Sequence, residues 1–582
     1  MKKRNLSEDM KWNGWGNPEV EFDHSTRPKV WTWLANTLKL QPGARTERTV
    51  FDPSLFAESK ISAEVQTGLE AIVGKDYVHV DVFNRYLRSV GKSFVDLSRA
   101  RAGNIMAICD AVVLPDNHDQ VVSILAFCSK NKVCVIPFGG GTNIVGSLDV
   151  ETGKTRPVLS LDLRRMNRML SLTEGANTAL FQAGIKGPLV ETSLKGRGFS
   201  LGHFPDSFEY STLGGWIATR SAGMQSDAYG RIEDMVVSLK VATPTGTFWT
   251  KDFPASSMGP NIQSVFIGSE GQLGVITEAL MKVHPTAITA EYRAYLFRTF
   301  AEGSAALKKC RMAGMKASMM RLQDEDETNL AFHLKEQKGK LSTLVEAPFK
   351  KYILLKGYTK PALLVIGFEG TKIQAASSRK EIETALKEFS ALPLGTSIGN
   401  TWAKNKFDMP YIRDFIMDHG CVADVAETSA PWDKVDSLYN NVRKAMYDQY
   451  AKDGISGYLG CHVSHTYING ACLYFTFAYP SPVRGDLSWY YKYKRLITDV
   501  IVASGGTASH HHAVGVEHRP WLEKETSPIG LEMLAKIKQT LDPENLMNPG
   551  KFFAGKSVEA PEAPAPVSVS VSARTEPFQA EL

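Results

Sequence analysis

The chain has 582 residues, 43% hydrophobic and 22% charged, so it is long enough and apolar enough for two or three globular domains. Its formal net charge of +5 gives no dense basic face, which argues against nucleic acid as a partner but suits an anionic substrate or an anionic membrane surface. The seven cysteines are scattered, odd in number and never arranged as CxxC, which argues against a disulfide framework or structural zinc and predicts a reducing compartment.

The N-terminal sequence MKKRNLSEDMKWNGWG has basic residues but no apolar stretch behind them, and no segment reaches the apolar length of a membrane-spanning helix. We therefore expect neither a secretory signal peptide nor an integral membrane protein. The residue pattern of 1–100 is typical of helices, with aromatic anchors at Trp12, Trp15, Trp31 and Trp33. They are predicted to form an N-terminal helical extension that packs on the next domain.

The pattern of apolar runs in the remaining chain predicts an α+β protein. Residues 101–285 alternate short β-branched runs with helices and glycine turns, which is typical of a nucleotide-binding domain. Residues 286–540 alternate amphipathic stretches with strands, which predicts a second α+β domain, a cap with an antiparallel sheet. A segment at 541–556 closes the ordered chain. Residues 557–582 are rich in Pro, Ala and Ser, and we expect this tail to be disordered.

The first chemical signal is a glycine-rich loop. The sequence PFGGGTN at 137–143 follows a predicted buried strand, and glycines without Cβ atoms allow successive N–H groups to point at one phosphate-sized anion. On its own, a tight turn after a strand would explain this loop equally well. Two further glycine-bearing loops follow at 205–223 and 268–278. The sequence has neither GxGxxG in a short βαβ unit nor a Walker lysine loop, which argues against Rossmann and P-loop folds.

Candidate catalytic side chains stand in the second domain. The adjacent histidines His510, His511 and His512 cannot all lie in a core, because consecutive side chains diverge. Zinc binding is the competing interpretation, disfavoured because adjacent ligands lack i, i+4 spacing and no acidic partner is near in sequence. We expect one or two of these imidazoles to act in hydrogen bonding or proton transfer. His462 and His465 form a second pair, but their i, i+3 spacing on a strand predicts opposite faces.

The three glycine loops, PFGGGTN, PDSFEYSTLGGW with TRSAG, and GSEGQLGVITE, resemble in their order the FAD-binding domain of the vanillyl-alcohol-oxidase superfamily. LDPENLMNPGK near the C-terminus is a further hallmark, which assigns 541–556 to the same domain. The resemblance implies a PCMH-type FAD-binding domain whose first loop wraps the pyrophosphate, whose second lies along the ribityl chain and flavin, and whose third contacts the ADP portion. The implied cofactor-binding residues are Pro137, Phe138, Gly139, Gly140, Gly141, Thr142, Asn143, Pro205, Asp206, Ser207, Phe208, Glu209, Tyr210, Ser211, Thr212, Gly215, Trp216, Thr219, Arg220, Ser269, Glu270, Gly271, Gln272, Leu273, Gly274, Val275 and Ile276.

In many oxidases of this superfamily a histidine of the first glycine loop is bonded covalently to the flavin. The loop at 137–143 contains no histidine. We therefore expect FAD to be bound without a covalent link through that loop.

Three segments, SHHH at 509–512, ACLYFTF at 471–477 and APW at 430–432, together resemble one family of this superfamily, alkylglycerone-phosphate synthase. The resemblance extends from Lys11 to Lys551. It implies that a long-chain fatty alcohol replaces the acyl chain of acyl-dihydroxyacetone phosphate, with the flavin entering and leaving oxidised. It also implies that Tyr474 is the general acid/base, assisted by the histidine run. A phenol, with an unperturbed pKa of about 10, needs a cationic or hydrogen-bonding neighbour to accept a proton at neutral pH.

By the same resemblance Arg413, Arg321 and His203 lie at the substrate site, where a phosphate favours a fork of guanidinium donors. Without it, surface salt bridges would be the ordinary interpretation of both arginines, and a strand aromatic that of Tyr474. Family members more often read SHHHGVG, whereas Ala513 follows the histidines here and is expected to stiffen the turn.

The resemblance also implies a homodimer that works at a membrane surface. Eukaryotic members are peroxisomal, but the C-terminal QAEL matches the SKL-type signal poorly, so a cytoplasmic bacterial enzyme is the alternative. An FAD-dependent 2-hydroxy-acid dehydrogenase, of the D-lactate or glycolate type, is the competing function, and an FAD-binding scaffold without activity is a third.

Overall fold

The computed structural model describes residues 6–40, 46, 48–104, 107–150, 156–334, 348, 351–481, 483 and 485–552. The tail predicted at 557–582 lies outside the described residues. The α-helices are Pro28–Leu38, Ala63–Val73, Val82–Leu87, Phe94–Ala102, His118–Lys130, Gly187–Lys195, Leu213–Ala218, Ser226–Tyr229, Ile232–Met235, Phe300–Met312, Glu325–His333, Lys372–Leu386, Ser397–Asn405, Met409–Met417, Trp432–Lys452, Ser488–Ala503, Leu522–Thr526 and Pro528–Leu541. Short 3-10 helices are Pro53–Leu55, Lys75–Tyr77, Leu163–Arg165, Glu174–Ala176, Ile262–Val265, Lys387–Phe389 and Arg519–Trp521.

Two sheets in the first half of the chain carry the glycine loops. In spatial order, the first sheet has the strands Val78–His79, Ala111–Val113, Val158–Asp162 and Cys134–Phe138, of which the last three run parallel. The second is antiparallel, with the strands Met169–Thr173, Thr178–Gln182, Val275–Lys282, Val236–Thr243 and Gly246–Trp249. A short pair joins Phe199–Ser200 to His284–Pro285. The loop 137–143 thus leaves the carboxyl end of a parallel strand, which is where open α/β sheets bind ligands.

The second half forms a seven-stranded antiparallel sheet, which we call the cap sheet. Its strands, in spatial order, are Leu392–Gly395, Thr289–Phe297, Ala362–Gly370, Met319–Gln323, Tyr458–Thr466, Gly470–Pro480 and Cys421–Pro431. One face is covered by four helices, Phe300–Met312, Lys372–Leu386, Trp432–Lys452 and Ser488–Ala503, which share a continuous apolar core with it. Since side chains alternate along a strand, Leu473 and Phe475 enter this core while Tyr474 and Thr476 face the other side. The α+β fold class is confirmed.

The C-terminal segment returns to the first sheet. The Val135 N–H donates to the Leu546 carbonyl at 2.9 Å, and the Asn548 N–H donates to the Val135 carbonyl at 2.8 Å, so the segment runs beside the strand that precedes the first glycine loop. The Asn548 side chain also donates to the carbonyls of Ser147 and Glu270, at 3.0 and 2.8 Å. The LDPENLMNPGK segment thereby ties the first glycine loop region to the third.

The N-terminal extension contacts both domains. Asp9 forms ion pairs with Arg88 and Arg164 beside the first sheet. The helix Pro28–Leu38 instead packs against cap elements, the helix Glu325–His333 and the strand Gly470–Pro480. The sequence did not predict this second contact. None of the described helices is long and apolar enough to cross a bilayer, and all seven cysteines are buried as free thiols.

Candidate active site

A cavity of about 360 Å³ lies between the glycine loops and the open face of the cap sheet. The loops 137–143, 205–212 and 269–276 contribute one wall, and the cap strands contribute the opposite wall. Residues of the N-terminal helix Pro28–Leu38 and of the helix Met409–Met417 also line the cavity. Segments that are hundreds of residues apart in sequence therefore meet around one space.

The glycine loops pack so closely that side chains are excluded at several positions. A Cβ atom at Gly140 would lie 2.1 Å from the Tyr210 carbonyl oxygen, and one at Gly271 would lie 2.9 Å from Cγ of Pro137. Gly141 and Gly271 also have φ of +64° and +72°, in the left-handed region that favours glycine. The loops thus present bare backbone to the cavity, and this cradle fits the pyrophosphate and flavin of FAD.

Most of the predicted cofactor-binding residues line this cavity. They are Pro137, Phe138, Gly139, Gly140, Gly141, Thr142, Asn143, Pro205, Asp206, Ser207, Ser211, Thr212, Gly215, Trp216, Thr219, Ser269, Glu270, Gly271, Gly274, Val275 and Ile276. Six others do not line the cavity: Phe208, Glu209, Tyr210, Arg220, Gln272 and Leu273. Phe208 and Leu273 belong to the core of the second sheet, and Arg220 forms an ion pair with Glu233 at 3.1 Å.

A β-bulge in the strand Tyr458–Thr466 brings two histidines to the cavity. Val463 pairs with Leu473 and His465 pairs with Cys472, so one extra residue, Ser464, stands between them. His462 and His465 consequently both line the cavity. The prediction of opposite faces was wrong, because it assumed an uninterrupted strand.

Tyr474 faces the cavity from the next strand. Its ring stacks on His462 with the centroids 4.8 Å apart, and lies 5.9 Å from the ring of His511. Burial in the cavity wall raises the pKa of Tyr474 well above its usual range, and the carboxylates of Asp206 and Glu427 raise it further. The hydroxyl is therefore protonated at neutral pH, ready to donate a proton or a hydrogen bond.

The histidine run is held by a buried carboxylate that the sequence did not reveal. Oε1 of Glu427 accepts the backbone N–H groups of His510, His511 and His512, at 2.9, 3.0 and 3.0 Å. Burial alone would raise the pKa of Glu427, but the adjacent imidazoles and the donated N–H groups hold it well below its usual range. Glu427 lies 84 residues before His511, so no local pattern links the two.

A second buried carboxylate holds the far end of the same loop. Glu270 accepts the N–H groups of Val514 and Gly515, at 2.8 and 3.0 Å, through different oxygens. Between the two carboxylates lies Ala513, whose φ of +74° is a conformation that favours glycine. Glu270 comes from the third glycine loop and Glu427 from the cap sheet, so the histidine run spans the two domains.

The histidine rings form a hydrogen-bonded chain. Nδ1 of His510 bonds to Nδ1 of His511 at 2.8 Å, and Nε2 of His510 bonds to the hydroxyl of Tyr467 at 2.5 Å. Burial lowers the pKa of His510, His511 and His512, against the raising effect of Glu427, so the rings are neutral at pH 7. His511 and His512 line the cavity, whereas His510 lies behind them.

The structure places an acidic residue, Glu427, beside the histidines, as a zinc site would require. The candidate ligand atoms are, however, already engaged in hydrogen bonds. Ligand atoms of Glu427, Cys472, His510 and His511 lie within 4.8 Å of one another. Oε1 of Glu427, however, already accepts the Ser509 hydroxyl at 2.9 Å besides three N–H groups, and the two Nδ1 atoms bond to each other. Hydrogen bonding within the protein therefore satisfies these groups.

Two of the three predicted substrate-binding residues line the cavity. Arg413 projects from the helix Met409–Met417, and its buried Nε atom has no hydrogen-bond partner among the described residues. Nη2 of Arg321 lies 3.2 Å from Nδ1 of His462. His203 is fully buried outside the lining, where its Nε2 bonds to the Ser221 hydroxyl at 3.1 Å and its ring packs on Trp216. It supports the second glycine-bearing loop, 205–223, through these two contacts.

One part of the cavity lining, which we call the apolar end, belongs to a single hydrophobic cluster. Leu330, Phe415, Ile416, Ala423 and Ala478 form it together with Trp33 and Leu34 of the N-terminal helix. The lining thus combines arginines and histidines with apolar side chains, which suits an amphipathic ligand with an anionic head. The sequence missed the N-terminal contribution because apolar tunnel residues look like core residues.

The chain matches two domain families, "FAD binding domain" over residues 109–251 and "FAD linked oxidases, C-terminal domain" over residues 289–552. With the glycine cradle and the cap sheet, these matches define an FAD-dependent flavoprotein. It is 38% identical to alkyldihydroxyacetonephosphate synthase of Dictyostelium discoideum, over 94% of each chain. A solved structure of an alkyldihydroxyacetonephosphate synthase superposes with a TM-score of 0.82 and 35% identity, covering 94% of this chain and 99% of that one. The chain belongs to the alkyldihydroxyacetonephosphate synthase family.

A hydroxy-acid oxidising relative is more distant. The chain is 26% identical to the glycolate oxidase subunit GlcD of Bacillus subtilis, over 76% of this chain. The 2-hydroxy-acid dehydrogenase alternative therefore has weaker support than the synthase family.

Proposed function

We propose that this protein exchanges the acyl chain of acyl-dihydroxyacetone phosphate for a long-chain fatty alcohol, giving alkyl-dihydroxyacetone phosphate and a fatty acid. Family membership supports the reaction. The amphipathic cavity carries the proposal, since its lining joins Arg413, whose buried Nε has no hydrogen-bond partner among the described residues, to an apolar end. Reactants and products are at the same oxidation level, so the exchange needs no external electron acceptor.

FAD is the cofactor of this family, and the glycine cradle would hold it. When bound, it supplies an electron-deficient ring system beside the substrate carbonyl. The loop 137–143 offers no histidine for a covalent link, which supports non-covalent binding. Asp206, Thr212 and Trp216 from the second loop line the same wall and would position the ring.

Side chains of the cavity bind the substrate and transfer protons. Arg413 and Arg321 bind the phosphate through charge-assisted hydrogen bonds, because a buried dianion without partners would cost several kcal/mol. Tyr474, a protonated phenol facing the same space, donates a proton or a hydrogen bond to the reacting oxygen. His511 is neutral at pH 7 and accepts a proton in the same region. The apolar end holds the acyl or alkyl chain and excludes water.

We further propose that the protein docks on a membrane surface, since both the acyl donor and the alcohol carry long apolar chains. We also propose a homodimer, which the family resemblance implies. Peroxisomal location follows from the family resemblance alone, and a cytoplasmic bacterial enzyme is the alternative. Neither location changes the chemistry proposed for the cavity.

Incubation of purified, FAD-loaded protein with acyl-dihydroxyacetone phosphate and labelled hexadecanol tests the proposal. Labelled alkyl product should appear, and the flavin absorbance should not bleach with D-lactate or glycolate. Bleaching by either hydroxy acid without alkyl product would favour the dehydrogenase alternative.

A further inference from the structure

The proposed exchange leaves one proton over in each turnover. The fatty acid is released from an ester, and a carboxyl group with a pKa of about 4 ionises at neutral pH. Each turnover therefore releases one proton, which comes from the hydroxyl group of the alcohol and must reach water. Meanwhile both lipid chains occupy the apolar end of the cavity. A route through the protein would carry that proton without opening the cavity.

One hydrogen-bonded chain leads from the cavity toward the surface. His511 lines the cavity, and its Nδ1 is engaged by Nδ1 of His510 at 2.8 Å, which leaves Nε2 for the cavity. Nε2 of His510 bonds to the hydroxyl of Tyr467 at 2.5 Å. Tyr467 is half-buried in the turn between two cap strands, and the next residue, Ile468, is 69% exposed.

The hydrogen bonds that link His511, His510 and Tyr467 can all point in either of two directions. An Nδ1–Nδ1 bond between two neutral imidazoles holds one shared proton, so the tautomer of His511 fixes that of His510. In one arrangement Tyr467 donates to His510 and Nε2 of His511 carries a proton. In the other, His510 donates to Tyr467 and Nε2 of His511 is free to accept. Switching between the two moves one proton along the whole chain.

Surrounding groups hold the rings in place for this transfer. Glu427 accepts the backbone N–H groups of His510 and His511, and Oε2 of Glu427 lies 3.4 Å from Nδ1 of His511. The guanidinium of Arg231 donates to the His510 carbonyl at 2.7 Å. His465 stacks on His510 with centroids 5.3 Å apart. The carboxylate favours a transient positive charge on the pair, and the other contacts prevent the rings from turning away.

We propose that Tyr467 is the outer member of a proton relay, His511–His510–Tyr467, that carries the reaction's surplus proton from the cavity to solvent. The relay rests on the proposed function. The alcohol proton passes to Nε2 of His511, the Nδ1 proton of His511 passes to Nδ1 of His510, and the Nε2 proton of His510 passes to the Tyr467 oxygen. The original hydroxyl proton of Tyr467 leaves to water. One proton moves from substrate to solvent, and no electrons are transferred.

Tyr467→Phe in the FAD-loaded protein tests the relay, because it removes the hydroxyl and keeps the ring. In dilute buffer kcat should fall about tenfold or more, with an unchanged KM for acyl-dihydroxyacetone phosphate and a larger solvent deuterium isotope effect. Added imidazole should restore part of the lost kcat, since it can replace the missing proton carrier. Tyr447→Phe is the matched control: this tyrosine is 37% exposed on the helix Trp432–Lys452, and its kinetics should equal those of the wild type.

Two further measurements separate the relay from a structural role. Tyr467→His, which restores a proton-passing group, should be faster than Tyr467→Phe. In ¹⁵N NMR spectra of histidine-labelled protein, Tyr467→Phe should shift the Nε2 resonance of His510, and Tyr447→Phe should not. Wild-type kcat in Tyr467→Phe, or a loss that neither imidazole nor histidine restores, would overturn the relay. Absence of alkyl product from the wild type would instead overturn the proposed function.

Discussion

The backbone N–H of His511 donates to Oε1 of Glu427 at 3.0 Å, and Nδ1 of the same histidine lies 3.4 Å from Oε2. One buried carboxylate thus fixes both the backbone and the electrostatic environment of a residue in the cavity wall. The arrangement makes Glu427 a positioning residue, since it acts on the reaction through the histidines.

Glu427→Gln should therefore impair catalysis more than FAD binding. The amide has nearly the same size, but it loses the charge and turns one acceptor into a donor that faces backbone N–H groups. Charge-assisted hydrogen bonds of this kind are each worth about 1.5–3 kcal/mol, so we expect a lower melting temperature and at least a tenfold fall in kcat. Asp433→Asn, which changes an exposed acid in the first turn of the helix that follows the same strand, is the control. Wild-type kcat in Glu427→Gln would remove Glu427 from the site.

Ala513→Gly should stabilise the protein. Ala513 holds a φ of +74° between the two carboxylates, and an L-residue in that region is strained by about 1–2 kcal/mol, part of which is offset by the greater unfolded-state entropy of glycine. We expect a gain of roughly 0.5–1 kcal/mol in the free energy of unfolding by denaturant titration. Ala508→Gly, at a neighbouring residue without positive φ, should destabilise instead. Equal effects of the two changes would contradict the strain at Ala513.

His203 should make the protein less stable in acid. Burial, with smaller contributions from His511 and Arg231, lowers the pKa of His203 to about 3, against about 6.5 in the unfolded chain. Between these values the unfolded state binds a proton that the folded state does not, so stability falls as pH falls through this window, by about 1.4 kcal/mol per pH unit. His203→Gln should flatten the pH dependence of unfolding between pH 6 and 4, whatever its effect at pH 7. The exposed His24→Gln is the control, and equal slopes in both variants would contradict the assignment.

Arg413 should act chiefly on substrate affinity. Arg413→Lys keeps the charge but loses the two-pronged donor, and Arg413→Leu loses both, so KM should rise about 10-fold to 100-fold, with leucine worse and FAD retained. The effect should shrink for an analogue without the phosphate. Arg379→Lys, on the outer cap helix Lys372–Leu386, is the matched control. A fall in kcat at saturating substrate with unchanged KM would assign Arg413 to the chemistry instead.

The sequence could predict the glycine cradle because its information is local: a strand followed by residues without Cβ atoms specifies a turn that exposes backbone N–H groups. The same holds for the histidine run and for Tyr474, which stand in recognisable segments. Glu427 could not be found, because its partners lie more than eighty residues away and a lone acid in a strand is not a pattern. His465 was misplaced because a single inserted residue, Ser464, reverses the alternation of the strand.

The most direct test of the proposed exchange is its stoichiometry. With acyl-dihydroxyacetone phosphate and labelled hexadecanol, the FAD-loaded protein should release one fatty acid for each labelled alkyl product, and the flavin should end the reaction oxidised. Tyr474→Phe, which keeps the ring that stacks on His462, should lower this rate roughly 10²-fold or more. Fatty acid released without alkyl product would show a hydrolase, and alkyl product that requires an added electron acceptor would contradict an exchange without net oxidation.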